Sequence, residues 1–148
     1  MDSATELIDH LNREGIRVIL IGDVNEERDG ETVFSRLGIS ELSSRCFGLP
    51  LNELMTLLKH ARVYVGTDSG PLHLAAALNV AVVGLFGPAE PRFTAPVVPS
   101  ASFIFRQVEC SPCNQRACVR SNNPCMDLIG VEEVADRVKR LMLSERLS

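Results

Sequence analysis

The sequence predicts an α/β protein in three layers, with a parallel sheet between helices on both faces. Two observations carry this. "RVILIG" (17–22), "RVYVG" (62–66) and "VAVVGLFG" (80–87) are short, unbroken apolar runs, the pattern of strands buried on both faces. Segments with apolar residues at helical spacing alternate with them, which implies crossover helices and parallel strands.

The elements follow in order. Ser3, with Glu6 three residues later, reads as a capping box. The first helix places Leu7, Ile8 and Leu11 on one face and stops at Gly15. "RVILIG" is the first strand, "DVNEERDGE" a polar loop, and 31–37 a short helix. Leu51, Leu54, Met55 and Leu58 predict a helix over 51–60. A strand at 62–66, a helix at 71–78 and a strand at 80–87 come next, with a further strand at 102–108. The last helix, 131–143, presents Val131, Val134, Ala135, Val138, Leu141 and Met142 on one face. Its acids Glu132 and Glu133 sit early and its bases Arg137, Lys139 and Arg140 late, as the helix dipole favours.

Composition narrows the function classes. The 148 residues are 45% hydrophobic and 23% charged, enough for one domain with a real core. A net charge of −4 and only 5% aromatics offer neither a basic patch nor a stacking platform for nucleic acid. No apolar stretch is long enough for a transmembrane segment, and "MDSATELIDH" is not a signal peptide. A cytoplasmic protein is expected, in a compartment where five cysteines are not mainly disulfides.

In a parallel α/β sheet, ligands sit beyond the carboxyl ends of the strands. The turns at 22–27, 66–71 and 86–91 all follow strands and are expected on that edge. "VGTDSGPLHLAAAL" (65–78) is the most informative. A helix N-terminus has unpaired N–H groups and a partial positive charge, so it attracts phosphate or carboxylate. Pro71 suits the first helical position, Gly70 permits close approach to the backbone, and Ala75, Ala76 and Ala77 permit tight packing. On residue pattern alone, Asp68 and Ser69 read equally well as ordinary caps. There is no G-x-G-x-x-G and no P-loop.

"VGTDSGPLHLAAALNVAVVGLFGPAEP" resembles the signature of the heptosyltransferase-type glycosyltransferases, glycosyltransferase family 9. Their pattern is D-[ST]-G-x-x-H-x-A-A-A-L, an apolar strand, then F-G-P-T-x-P. "ELMTLLKHARVYV", the cysteine segment 110–125 and "IGVEEVADRVKRLM" extend the likeness over most of the chain from about residue 16. The resemblance implies a GT-B enzyme, two Rossmann-like domains across a cleft. This chain would be its C-terminal, donor-binding half, a single Rossmann-like domain over 1–148, with the N-terminal acceptor domain absent. The implied donor is a nucleotide-sugar, typically ADP-heptose, and the acceptor is of lipopolysaccharide type.

Carried over by position, Asp68 bonds sugar hydroxyls, and Ser69, Gly70, Pro71, Leu72 and His73 form a phosphate-facing helix start. Glu26 or Glu27 stands where the family places an acid against the nucleoside ribose. The resemblance assigns no catalytic residue to this chain, because the expected base belongs to the acceptor domain. It also implies a cytoplasmic enzyme, in its narrower form one at the inner face of the bacterial inner membrane. Two departures stand out: Ala89 and Glu90 replace the usual Thr-Asp, and "CFGLPL" (46–51) replaces L-x-G-x-x-x-L.

Cys110, Cys113, Cys118 and Cys125 form C-x₂-C-x₄-C-x₆-C, a spacing that can wrap four thiolates around one tetrahedral metal. Zn²⁺ is the default occupant and iron the alternative; with no open ligand position the role is structural. Two disulfides, in any of three pairings, or free thiols are the other readings. Cys46 stands apart as a core or surface thiol. Outside the transferase class, the same features would suit a non-catalytic nucleotide- or phosphosugar-binding module stapled by a four-cysteine metal. A sugar epimerase is a third reading, weakened by the missing glycine-rich loop.

Overall fold

The computed structural model describes residues 3–37, 41–114, 118, 120 and 124–144. Its strands pair entirely in parallel, as one sheet of two strands and one of three. The chain divides into two compact units, Met1–Leu54 and Met55–Ser148.

In the first unit, α1 (Ser3–Arg13) packs on β1 (Val18–Gly22) and on α2 (Glu27–Leu37), burying Thr5, Ile8 and Leu11. β1 pairs with β2 (Ser43–Phe47), Val18 opposite Ser43 and Gly22 opposite Phe47. β1 is less buried than its sequence predicts: Ile19 is 41% exposed, because β2 pairs on one side and the Ile19 face is left partly open. The helix expected at 31–37 begins four residues earlier, at Glu27. Ser3 is a helical residue of α1, whereas the observed capping box lies ahead of α2, on a 3₁₀ turn at Val24–Glu26. There the Asp23 side chain accepts the Asn25 N–H at 2.9 Å, and Glu26 Oε2 accepts the Asp23 N–H at 2.7 Å.

α2 carries a glycine in its interior, at a cost of about 1 kcal/mol relative to alanine. The Phe47 ring explains it: a Cβ on Gly30 would lie 2.0 Å from Phe47 Cζ. α3 (Leu51–Lys59) then leads out of this unit and into the next.

The second unit is built on β3 (Val63–Thr67), β4 (Ala81–Phe86) and β5 (Ala101–Phe105), in that spatial order. α4 (Gly70–Ala77) packs on β3 and β4, and α7 (Val131–Ser144) on all three strands. Alternate residues of a strand face opposite ways. Ala81, Val82, Val83, Gly84 and Phe86 are all buried, so β4 is covered on both faces. Leu72, Ala75, Ile104, Val134, Ala135 and Val138 fill the core around it. Gly84 makes room for the edge-to-face pair Phe86–Phe103, whose centroids are 5.5 Å apart. Beyond the end of α4, Asn79 takes φ 60°, while the Val80 N–H returns to the Ala75 carbonyl at 3.0 Å. Two four-residue helices, α5 (Pro91–Thr94) and α6 (Pro124–Asp127), complete the unit.

Candidate functional site

The register of β3 on β4, Thr67 opposite Leu85, brings the turns after both strands to one edge of the sheet. The third turn expected there, 22–27, follows β1 and belongs to the two-stranded sheet of the other unit.

At the 67–73 turn, the residues that could have been ordinary caps do not cap. Ser69 holds the N-cap position with φ −153° and ψ 167°, yet its side chain makes no cap hydrogen bond. Its hydroxyl instead donates to the Thr67 carbonyl at 3.2 Å. Asp68 Oδ1 lies 3.1 Å from His73 Nε2, joining the turn to the first helical turn of α4. The Leu72 and His73 N–H groups bond the Ser69 carbonyl at 3.1 and 3.4 Å, and Pro71 has no N–H. The Gly70 N–H is thus a helix-start donor that no side chain caps. A Cβ on Gly70 would meet nothing within 4 Å. The space above the turn is open, and packing does not require the glycine.

The six predicted residues share this turn but not one environment. Leu72 is fully buried and anchors α4; Gly70 and His73 are exposed; Asp68, Ser69 and Pro71 are half-buried. Leu72 is therefore a support for the turn, which its side chain cannot reach past. Ala75 and Ala76 are buried as expected, while Ala77 is exposed.

Glu26 and Glu27, left undecided by sequence, differ in position. Glu26 lines a cleft of about 190 Å³ with Ile21, Gly22, Asp29, Gly30 and Phe47; Glu27 is not among the lining residues. Gly22 and Gly30 both face the Phe47 ring, which a Cβ at either position would strike. Sequence reasoning missed Asp29, Gly30 and Phe47, since it did not anticipate β2. The signal available was a glycine inside a helical stretch.

All four clustered cysteines are free thiols in this structure, as is Cys46. Cys125 is buried and Cys118 exposed, and among the described residues no group of three or more His, Cys, Asp or Glu could hold a metal ion. Residues 115–117, 119 and 121–123 of the cysteine segment lie outside the described residues. No helix among the described residues is long and apolar enough to cross a membrane.

Known proteins resemble this chain in sequence and in fold. The model of glycosyltransferase family 9 (heptosyltransferase) matches residues 2–123. Lipooligosaccharide heptosyltransferase 2 of Haemophilus influenzae is 34% identical over 103 residues, 67% of this chain and 30% of that protein. Lipopolysaccharide heptosyltransferase 2 of Escherichia coli is 34% identical over 103 residues, 67% of this chain and 29% of that protein. Among solved structures, E. coli ADP-heptose lps heptosyltransferase II superimposes with a TM-score of 0.80 at 26% identity, covering 97% of this chain and 41% of that one. A glycosyl transferase family 9 structure from Veillonella parvula gives 0.81 at 20% identity, again covering 97% of this chain and 41% of that one, a likeness of fold. The chain thus spans about 30% of the length of the curated relatives it matches.

Proposed function

The chain belongs to glycosyltransferase family 9 (heptosyltransferase), and on that premise we propose that it binds the nucleotide-sugar donor of a glycosyl transfer. The observation that carries the reading is the start of α4, where Ser69 makes no side-chain cap, a Cβ on Gly70 would meet nothing within 4 Å, and Asp68 pairs with His73. A diphosphate fits this turn: the helix start supplies an N–H and positive potential, and Gly70 leaves room for close approach. Asp68, held by His73, is a hydrogen-bond acceptor for sugar hydroxyls. Glu26 rather than Glu27 is the acid proposed for the ribose, because Glu26 lines a cleft.

The donor proposed is ADP-heptose, and the acceptor a lipopolysaccharide-type sugar. A solved relative is named for ADP-heptose, and another, an E. coli heptosyltransferase, was solved with ADP. Glycosyl transfer needs a base for the acceptor hydroxyl and stabilisation of the departing diphosphate. The Gly70 turn provides the second by hydrogen bonding to the developing charge. The first is assigned to an acceptor-binding domain, for which the greater length of the relatives leaves room. The whole enzyme would work in the cytoplasm, at the inner face of the bacterial inner membrane.

Calorimetric titration of ADP-, UDP- and GDP-sugars tests this reading. Saturable binding that prefers ADP-heptose and weakens in Asp68→Ala supports it. Absence of binding to any of them at millimolar concentration, with Asp68→Ala indistinguishable from the parent, rejects it.

A further inference from the structure

The motif "CSPC" (110–113) finds no use in the donor reading. Its serine, however, reaches the edge of the proposed site. Thr67 pairs with Leu85 in the β3–β4 register, so the turns that begin at Asp68 and Gly87 start from the same edge of the sheet. Gly87 is buried, and a Cβ there would stand 2.7 Å from Cys125 Sγ and 2.7 Å from Met126 Sδ. Ser111 Oγ donates to the Gly87 carbonyl at 2.5 Å, and the Asn114 N–H donates to the Pro88 carbonyl at 2.8 Å. Ser111 is only 8% exposed, and its own N–H is held by the Val108 carbonyl at 2.8 Å. One loop thereby holds two consecutive carbonyls of the turn that follows β4.

We infer that the Cys110–Asn114 segment braces the donor edge, and that Ser111 is a positioning residue for donor binding. It acts through the Gly87–Pro88 turn, which follows β4 on the sheet edge where the Gly70 turn follows β3. A buried carbonyl deprived of its donor shifts to find another, and a shift of this turn alters the sheet edge on which the diphosphate is proposed to sit. The proposal rests on the reading of the Ser69–Gly70 turn as the diphosphate seat.

The test uses ADP as the probe, with calorimetry for affinity and amide hydrogen exchange for the turn. In Ser111→Ala, exchange at the Asn114 N–H rises and ADP binding weakens by roughly three- to tenfold, the fold-change expected for one hydrogen bond. Ser111→Thr, which keeps the hydroxyl, recovers most of that affinity. Val138→Ala, a core truncation in α7, lowers the melting temperature but leaves ADP affinity at the parental value. The proposal is overturned if Ser111→Ala loosens Asn114 yet binds ADP as the parent does, or if Val138→Ala weakens ADP binding equally. Parental ADP affinity in Gly70→Ala would instead refute the diphosphate seat, and with it the ground on which the brace stands.

Discussion

Asp68 and His73 are joined across the turn that opens α4, Oδ1 to Nε2 at 3.1 Å, with the imidazole 46% and the carboxylate 23% exposed. An exposed pair of this kind adds about 0–1 kcal/mol to stability. Its value lies in direction: His73 fixes the rotamer of a carboxylate whose neighbours, Ser69 and Gly70, make no side-chain cap. Asp68→Ala is therefore expected to leave the melting temperature within a few degrees of the parent. It should weaken nucleotide-sugar binding by about 1.5–3 kcal/mol, the range for hydrogen bonds to a charged group. Calorimetry and thermal denaturation on the same preparation separate the two effects.

Gly70→Ala keeps the backbone N–H and tests the room beside it. The new methyl meets no atom within 4 Å, and alanine is the better helix former by about 1 kcal/mol. Stability should hold or rise slightly in a denaturant titration. ADP affinity should fall about tenfold, because the methyl occupies the space the diphosphate would approach. Loss of stability without loss of affinity would be the opposite of what this site requires.

Glu26→Gln and Glu27→Gln make a matched pair. Glutamine still serves a capping box, so the bond from the Asp23 N–H to residue 26 survives and the 3₁₀ turn should persist. Only Glu26 lines the cleft. Glu26→Gln should weaken ADP binding several-fold, the cost of exchanging a charged acceptor for a neutral one, whereas Glu27→Gln should match the parent. Equal effects in calorimetry would mean that the cleft does not hold the ribose.

Gly30→Ala sets two effects against each other. Helix propensity favours alanine by about 1 kcal/mol. Against it, the Cβ would stand 2.0 Å from Phe47 Cζ, and overpacking typically costs about 1–3 kcal/mol. The clash wins if the ring cannot move aside, giving a lower urea midpoint; Phe47→Leu in the same chain should restore it. A midpoint above the parent in Gly30→Ala alone would show that the ring swings away freely.

How far the sequence discloses the fold depends on how local each signal is. β4 was legible because "VAVVGLF" has no polar residue to dilute it, and it proved buried on both faces. α7 was legible through its apolar stripe and graded charges. β2 was not: "SSRCF" has polar residues at three of five positions, and its strand character comes from pairing with β1, a contact distant in sequence. The start of α2 was hidden for a related reason. Acids at 26, 27 and 29 resemble a solvated loop until Glu26 is seen closing a cap onto Asp23.

The Asp68–Ser69 turn lay between these extremes. Sequence identified the helix start at Gly70 almost to the residue, but capping and ligand binding use the same residue types. The geometry decided against capping, since Ser69 turns back to Thr67 and Asp68 turns to His73.

The measurement that bears most directly on the donor-site reading is a titration of ADP-heptose into this chain and into Asp68→Ala. Saturable binding in the parent, tighter than that of UDP- or GDP-sugars and weakened at least tenfold in the variant, is the predicted result. Identical isotherms for parent and variant, or no preference for the ADP-linked sugar, would contradict it.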